Sequence, residues 1–92
     1  MMSQIPVDFK KLSKKELNCC ILRAGITSEL DAINLYEQLA AICEDAGIKK
    51  VLQDIAKEEK THVGEFQALL LKEDADQKTE LKNGQTEVEE LI

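Results

Sequence analysis

Glu59 and His62 stand three residues apart in the run IAKEEKTHVGEFQALLL (Ile55–Leu71), and a third ionisable group, Glu29, sits between the aliphatic residues Ile26 and Ile33. Carboxylate oxygens are hard donors and imidazole nitrogen is a borderline one. Brought together, these three groups would take Fe(II) or Mn(II), with Zn(II) or Ca(II) as substitutes. On a helix, residues three apart share a face, so Glu59 and His62 converge only if their segment is helical. Glu29 must come from elsewhere in the chain.

The elements that would position these groups are two long helices. Ser13 followed by Glu16 fits the S-x-x-E capping box, in which each side chain satisfies an orphan amide of the first turn. The helical pattern then runs to about Asp45, and Gly47 is the expected stop signal. A second helix is expected from about Ile48 to Lys72, with Gly64 permitting close helix packing one turn from the site. Glu73-Asp74-Ala75-Asp76 punctuates it, Asp74 or Asp76 being the next N-cap. The tail from Gln77 is polar and weakly helical, with a break at Asn83-Gly84. The expected organisation is a lead-in over 1–12, a hairpin over 13–72 and a short C-terminal helix or tail over 73–92.

On these helices two buried stripes emerge. The first reads Leu22, Ile26, Glu29, Ile33, Tyr36, Ala40, Cys43, and the second Leu52, Ile55, Glu59, His62, Phe66, Leu69. Measured from a turn near Ala46, Glu29 lies roughly 25 Å down the first helix, and Glu59 and His62 roughly 20 and 24 Å down the second. An antiparallel hairpin brings all three to one level. Burying an unpaired carboxylate costs several kcal/mol, and neither stripe carries a Lys or Arg at that level. A bound cation resolves the conflict. One hairpin supplies too few ligands to saturate a metal, whereas two supply four Glu and two His. That is the di-iron arrangement of a four-helix bundle, with one Glu from each of two helices and Glu-x-x-His from each of the others.

Composition narrows the alternatives. With 92 residues the chain makes one small domain, too short for a Rossmann enzyme with a substrate domain, a TIM barrel or a kinase. Four Gly and one Pro are too few turn formers for an all-β fold. The expectation is an all-α protein, short of core until it pairs with a copy of itself. A net charge of −6 speaks against nucleic-acid binding and suits a protein that attracts cations. No apolar run approaches the roughly 20 residues of a membrane span. Met1-Met2-Ser3-Gln4-Ile5-Pro6 lacks the pattern of a secretory signal peptide, so a cytoplasmic location is expected. Cys19, Cys20 and Cys43 are odd in number and without CxxC spacing, and read as reduced thiols in packing or surface positions.

Glu29, Tyr36 seven residues later, and Glu59-Lys60-Thr61-His62 together resemble the encapsulated ferritin family of the ferritin-like superfamily. Ser28–Ala40 (SELDAINLYEQLA) and Ile55–Leu71 resemble its archaeal and thermophilic bacterial members, and the likeness covers about residues 15–91. Glu-x-x-His alone is a weak signal; a Glu and Tyr seven apart on the preceding helix make it strong. The resemblance implies a half-ferritin of two antiparallel helices and a short third one, with a di-iron site between two subunits, within a decameric ring. It implies iron ligation by Glu29, Glu59 and His62, and a hydrogen bond near the site from Tyr36. It also implies a ferroxidase that oxidises Fe(II) to Fe(III) with dioxygen and passes iron to an encapsulin shell. Where the best-known form of the family has extra carboxylates and a Trp near the site entry, this chain has Ser28, Asp31 and Leu35, leaving Asp31 as the one entry ligand. Glu58 and Glu65 read as a solvated face or a secondary cation position. The last residues, Glu87–Ile92, do not clearly resemble a shell-docking peptide. The alternatives are a rubrerythrin-like di-iron peroxidase, which here lacks a CxxC electron-supplying module, and a non-catalytic metal-binding helical dimer or adaptor.

Overall fold

The computed structural model describes residues 9–92. A 3-10 turn, Phe9–Lys11, leads into three helices: α1 (Lys14–Ile42), α2 (Ala46–Glu73) and α3 (Ala75–Leu91). The all-α expectation holds, with α1 and α2 packed as a long hairpin and α3 set against α2. Pro6 and the rest of the lead-in before Phe9 lie outside the described residues.

Each helix start has a side-chain cap. The Ser13 hydroxyl accepts from the Glu16 N–H at 3.2 Å. The expected return bond from the Glu16 carboxylate is not formed among the described residues, so the capping box is one-sided. At the hairpin turn, Cys43 adopts an extended conformation and Asp45 accepts from the Ile48 N–H at 2.9 Å. Gly47 therefore does not stop α1. It lies in the first turn of α2, and no glycine adopts a left-handed φ among the described residues. A capping carboxylate ends the turn two residues earlier than a glycine stop would.

At the far end one residue does three jobs. The Asp74 N–H donates to the Leu70 carbonyl and closes α2, while its carboxylate accepts from the Gln77 N–H and opens α3. The same carboxylate takes the Arg23 guanidinium of α1 at 2.7 Å. The Gln77 N–H, and after it Arg23, hold the Asp74 carboxyl below its ordinary value. The expected break at Asn83-Gly84 is absent. Helix α3 runs through it, tied by Gln85 to Glu89 at 3.1 Å and by the Thr86 hydroxyl to the Lys82 carbonyl at 3.2 Å.

The core is thin. Among the described residues only Cys19, Ala40, Ala56 and Leu70 are buried, and no large side chain is fully enclosed. All three cysteines are free. Ala40 and Ala56, each 3% exposed, let the helices approach closely near the turn. The expected seam of α2 is rotated slightly. Leu70 faces α1, whereas Leu69, placed in the seam by its spacing, is 51% exposed. The radius of gyration is 16.4 Å, against about 12–13 Å for a compact domain of this length.

Four of the exposed apolar residues fall into two rows. Val51 and Leu69 are eighteen residues apart, as are Ile21 and Leu39, which is five whole turns in each case. Ile21 and Leu69 line one shallow cleft of about 250 Å³, so the two rows belong to the same flank of the hairpin. On the opposite flank Arg23, Ile26, Gln67 and Leu70 share a cleft of about 360 Å³ with Gln77 and Leu81 of α3. Helix α3 thus covers part of one side and leaves the apolar side open.

Candidate metal centre

Glu29 projects from the middle of α1, and Glu59 and His62 from successive turns of α2. The Glu29 Oε2 lies 3.3 Å from His62 Nδ1 and the Glu59 Oε2 lies 3.5 Å from the same nitrogen. One ligand atom from each of the three groups falls within 4.8 Å of the others, and this is the group of such residues that the described chain brings together. The side chains of Glu29 and Glu59 are 19% and 18% exposed, while His62 is 44% exposed. His62 lies seven residues before Leu69 and eleven after Val51, on the same helical row. The carboxylates therefore sit in the helix seam, and the imidazole stands at its rim on the open apolar flank.

The geometry suits a cation. Two carboxylates converge on one imidazole nitrogen, which carries at most one hydrogen and so can donate to only one of them. Nearby cations are engaged elsewhere, Lys60 with Glu37 at 3.5 Å and Arg23 with Asp74. Donors about 2.1 Å from one ion stand up to roughly 4 Å from one another, close to the observed spread. Two oxygens and one nitrogen match Fe(II), Mn(II) or Zn(II) and leave coordination positions open.

The other expected site residues lie apart from this group. Glu58 and Glu65 are exposed, in keeping with a solvated face. Asp31 is half-buried, and its Oδ2 is enclosed without a hydrogen-bond partner. Two residues beyond Glu29, it points away from that group by helical geometry. Tyr36 is half-buried on the same face as Glu29, and its hydroxyl finds no hydrogen-bond partner among the described residues of a single chain.

One close contact has no counterpart among the expectations from sequence. A Cβ built on Gly25 would stand 2.9 Å from the Cδ1, Cε1 and Cζ atoms of Phe66. Gly64, expected to permit close packing, faces open space instead. The available signal was Gly25 itself, a glycine one turn before Glu29 in a helix with no other.

The chain matches the family model described as EncFtn-like over residues 4–85. It is 58% identical over 82 residues to a ferritin-like–encapsulin shell fusion protein of Pyrococcus furiosus. That match takes in 89% of this chain and 24% of the relative, so the chain spans about a quarter of that protein's length. Among solved structures, the encapsulated ferritin domain from Pyrococcus furiosus superposes with a TM-score of 0.86 at 52% identity, covering 100% of this chain and 96% of that one.

Proposed function

Because the chain belongs to the EncFtn-like family, we propose that it is a ferroxidase of the encapsulated-ferritin type, with Fe(II) as substrate and dioxygen as oxidant. The observation that carries this reading is the convergence of Glu29, Glu59 and His62, with the carboxylates in the helix seam and the imidazole at its rim on the uncovered flank. Two hairpins facing each other across that flank bring four carboxylates and two imidazoles together, enough for a pair of irons. Each Fe(II) gives up one electron, and dioxygen accepts the pair.

The residues divide the work by chemistry. Glu29 and Glu59 supply hard anionic oxygens that hold Fe(II) and favour the more highly charged Fe(III). His62 supplies nitrogen from the rim, where the second copy would close over it. Tyr36, with its hydroxyl unengaged within one chain, is placed to hydrogen-bond across the pair. Asp31, Glu58 and Glu65 are candidates for transient cation contacts on the way in, and the net charge of −6 raises the local Fe(II) concentration at low salt.

Pairing is supported by area. The chain exposes 7252 Å², where a folded monomer of its mass exposes about 5,400 Å². That excess is more than the roughly 800 Å² a standard interface takes from each partner. It suits a larger ring, a decamer by family resemblance. The fusion of a ferritin-like part to an encapsulin shell in the Pyrococcus furiosus relative supports an encapsulin partner, with oxidised iron released into its compartment. Among the described residues no helix is long and apolar enough to cross a membrane.

Stopped-flow oxidation of Fe(II) tests the assignment. Glu29→Ala and His62→Ala are expected to abolish rapid aerobic oxidation and lower the bound iron. Unchanged rates and stoichiometry would refute it. Faster turnover with hydrogen peroxide than with dioxygen would favour a peroxidase, and absence of metal in anaerobically purified protein would favour an adaptor.

A further inference from the structure

The metal-binding reading of the Glu29–Glu59–His62 group leaves open what holds its two helices at the right separation. We propose that Gly25 is a positioning residue for this group. Its missing side chain seats the Phe66 ring and so sets the spacing of α1 and α2 beside the site. The inference rests on the metal-binding reading above.

Glycine disfavours a helix interior, and Gly25 is eleven residues inside α1. Its φ lies outside the left-handed region, so conformational freedom does not account for it. Space does. A methyl group there would meet three atoms of the Phe66 ring at 2.9 Å, and ordinary contact begins at 3.4 Å. The ring, or the helix carrying it, would have to retreat by about 0.5 Å. Phe66 is half-buried, and three of its ring atoms stand at the same distance, so a tilt that frees one of them does not free the others.

Register makes the contact matter. Gly25 lies one turn before Glu29 on α1, and Phe66 one turn after His62 on α2. In an antiparallel hairpin the two pairs are successive rungs of one ladder, about 6 Å apart along the axes. The lower rung is a glycine against an aromatic ring. The upper rung is Glu29 against His62 at 3.3 Å. Forcing the lower rung apart moves the imidazole away from the α1 carboxylate while leaving Glu59 beside it. Ligand distances in metal sites hold to about 0.2 Å, so a 0.5 Å displacement is large on that scale.

The test uses Co(II), whose visible bands report ligand geometry without turnover. The full chain is titrated alongside Gly25→Ala, Gly25→Ala/Phe66→Leu, and Gly64→Ala as a second helix-interior glycine facing open space. Gly25→Ala should keep its helical circular dichroism, bind Co(II) about tenfold more weakly, the lower end for loss of a supporting group, and shift the bands. Gly25→Ala/Phe66→Leu should recover most of the affinity and the wild-type spectrum, and Gly64→Ala should match wild type. Wild-type affinity and bands in Gly25→Ala, or no recovery in the double variant, overturn the proposal. A wild-type chain that takes up no Co(II) overturns the metal reading, and the seat with it.

Discussion

Replacing Glu59 by Gln should stabilise the metal-free protein and destabilise it relative to wild type once metal is present. The substitution keeps the side-chain shape and removes one charge. In the metal-free chain the carboxylates of Glu29 and Glu59 have oxygens within 4.8 Å of each other. Two like charges at that distance repel by about 1 kcal/mol in water and about 3.5 kcal/mol at an effective dielectric constant near 20. Both side chains are mostly but not fully withdrawn from solvent, at 19% and 18% exposure. His62 Nδ1, at 3.3 and 3.5 Å, offsets part of the repulsion. A net gain of about 1 kcal/mol follows for Glu59→Gln, which in a domain of this size raises Tm by about 4–8 °C. Divalent metal at a hundred times its Kd adds about 2.7 kcal/mol to the wild type and little to the variant. The assay is thermal unfolding by circular dichroism at mildly alkaline pH, in excess chelator and then in Mn(II) or Zn(II). The two curves should exchange order. A variant less stable than wild type in chelator would refute the reasoning, because the Glu59–His62 contact would then be a stabilising pair in its own right.

Two further outcomes follow. Leu69→Glu or Val51→Glu places a charge on the open flank and should shift sedimentation toward monomer and abolish Fe(II) oxidation while preserving helicity; unchanged self-association would exclude that flank as the interface. Asp74 is held below its ordinary value near 3.8 by the Gln77 N–H and Arg23, so its contribution to stability is complete above that value and fades as pH falls through the lower folded-state value. Amide exchange in the first turn of α3 should therefore accelerate over that acidic window, and Asp74→Asn should remove the pH dependence; an identical profile in the variant would contradict the assignment.

Local signals were legible where a residue's own chemistry decides its role. Ser13 caps α1, and Asp74, one of two candidates, caps α3, because an acceptor side chain beside orphan amides needs no distant partner. Glu59-x-x-His62 converges because three residues nearly complete a helical turn, and Glu29 reaches the same level because two helices joined by a short turn must run antiparallel. Glycines depart from expectation for the opposite reason. Gly47 and Gly84 permit a break without imposing one, and Asp45 at the turn and the side-chain bonds along α3 decided otherwise.

What periodicity leaves open is the rotation of each helix about its axis. Leu69 and Leu70 are adjacent and chemically alike, yet Leu70 is buried and Leu69 is 51% exposed. That choice belongs to α3, whose Gln77 and Leu81 share a cleft with Leu70 while the flank of Leu69 stays open. The amino-acid sequence by itself determined the two long helices of the hairpin and the level at which Glu29, Glu59 and His62 meet, since both follow from the rise and repeat of one helix. Only the tertiary structure decided which flank stays open and where His62 points. Those depend on the sizes of side chains meeting across the hairpin, tens of residues apart in the chain.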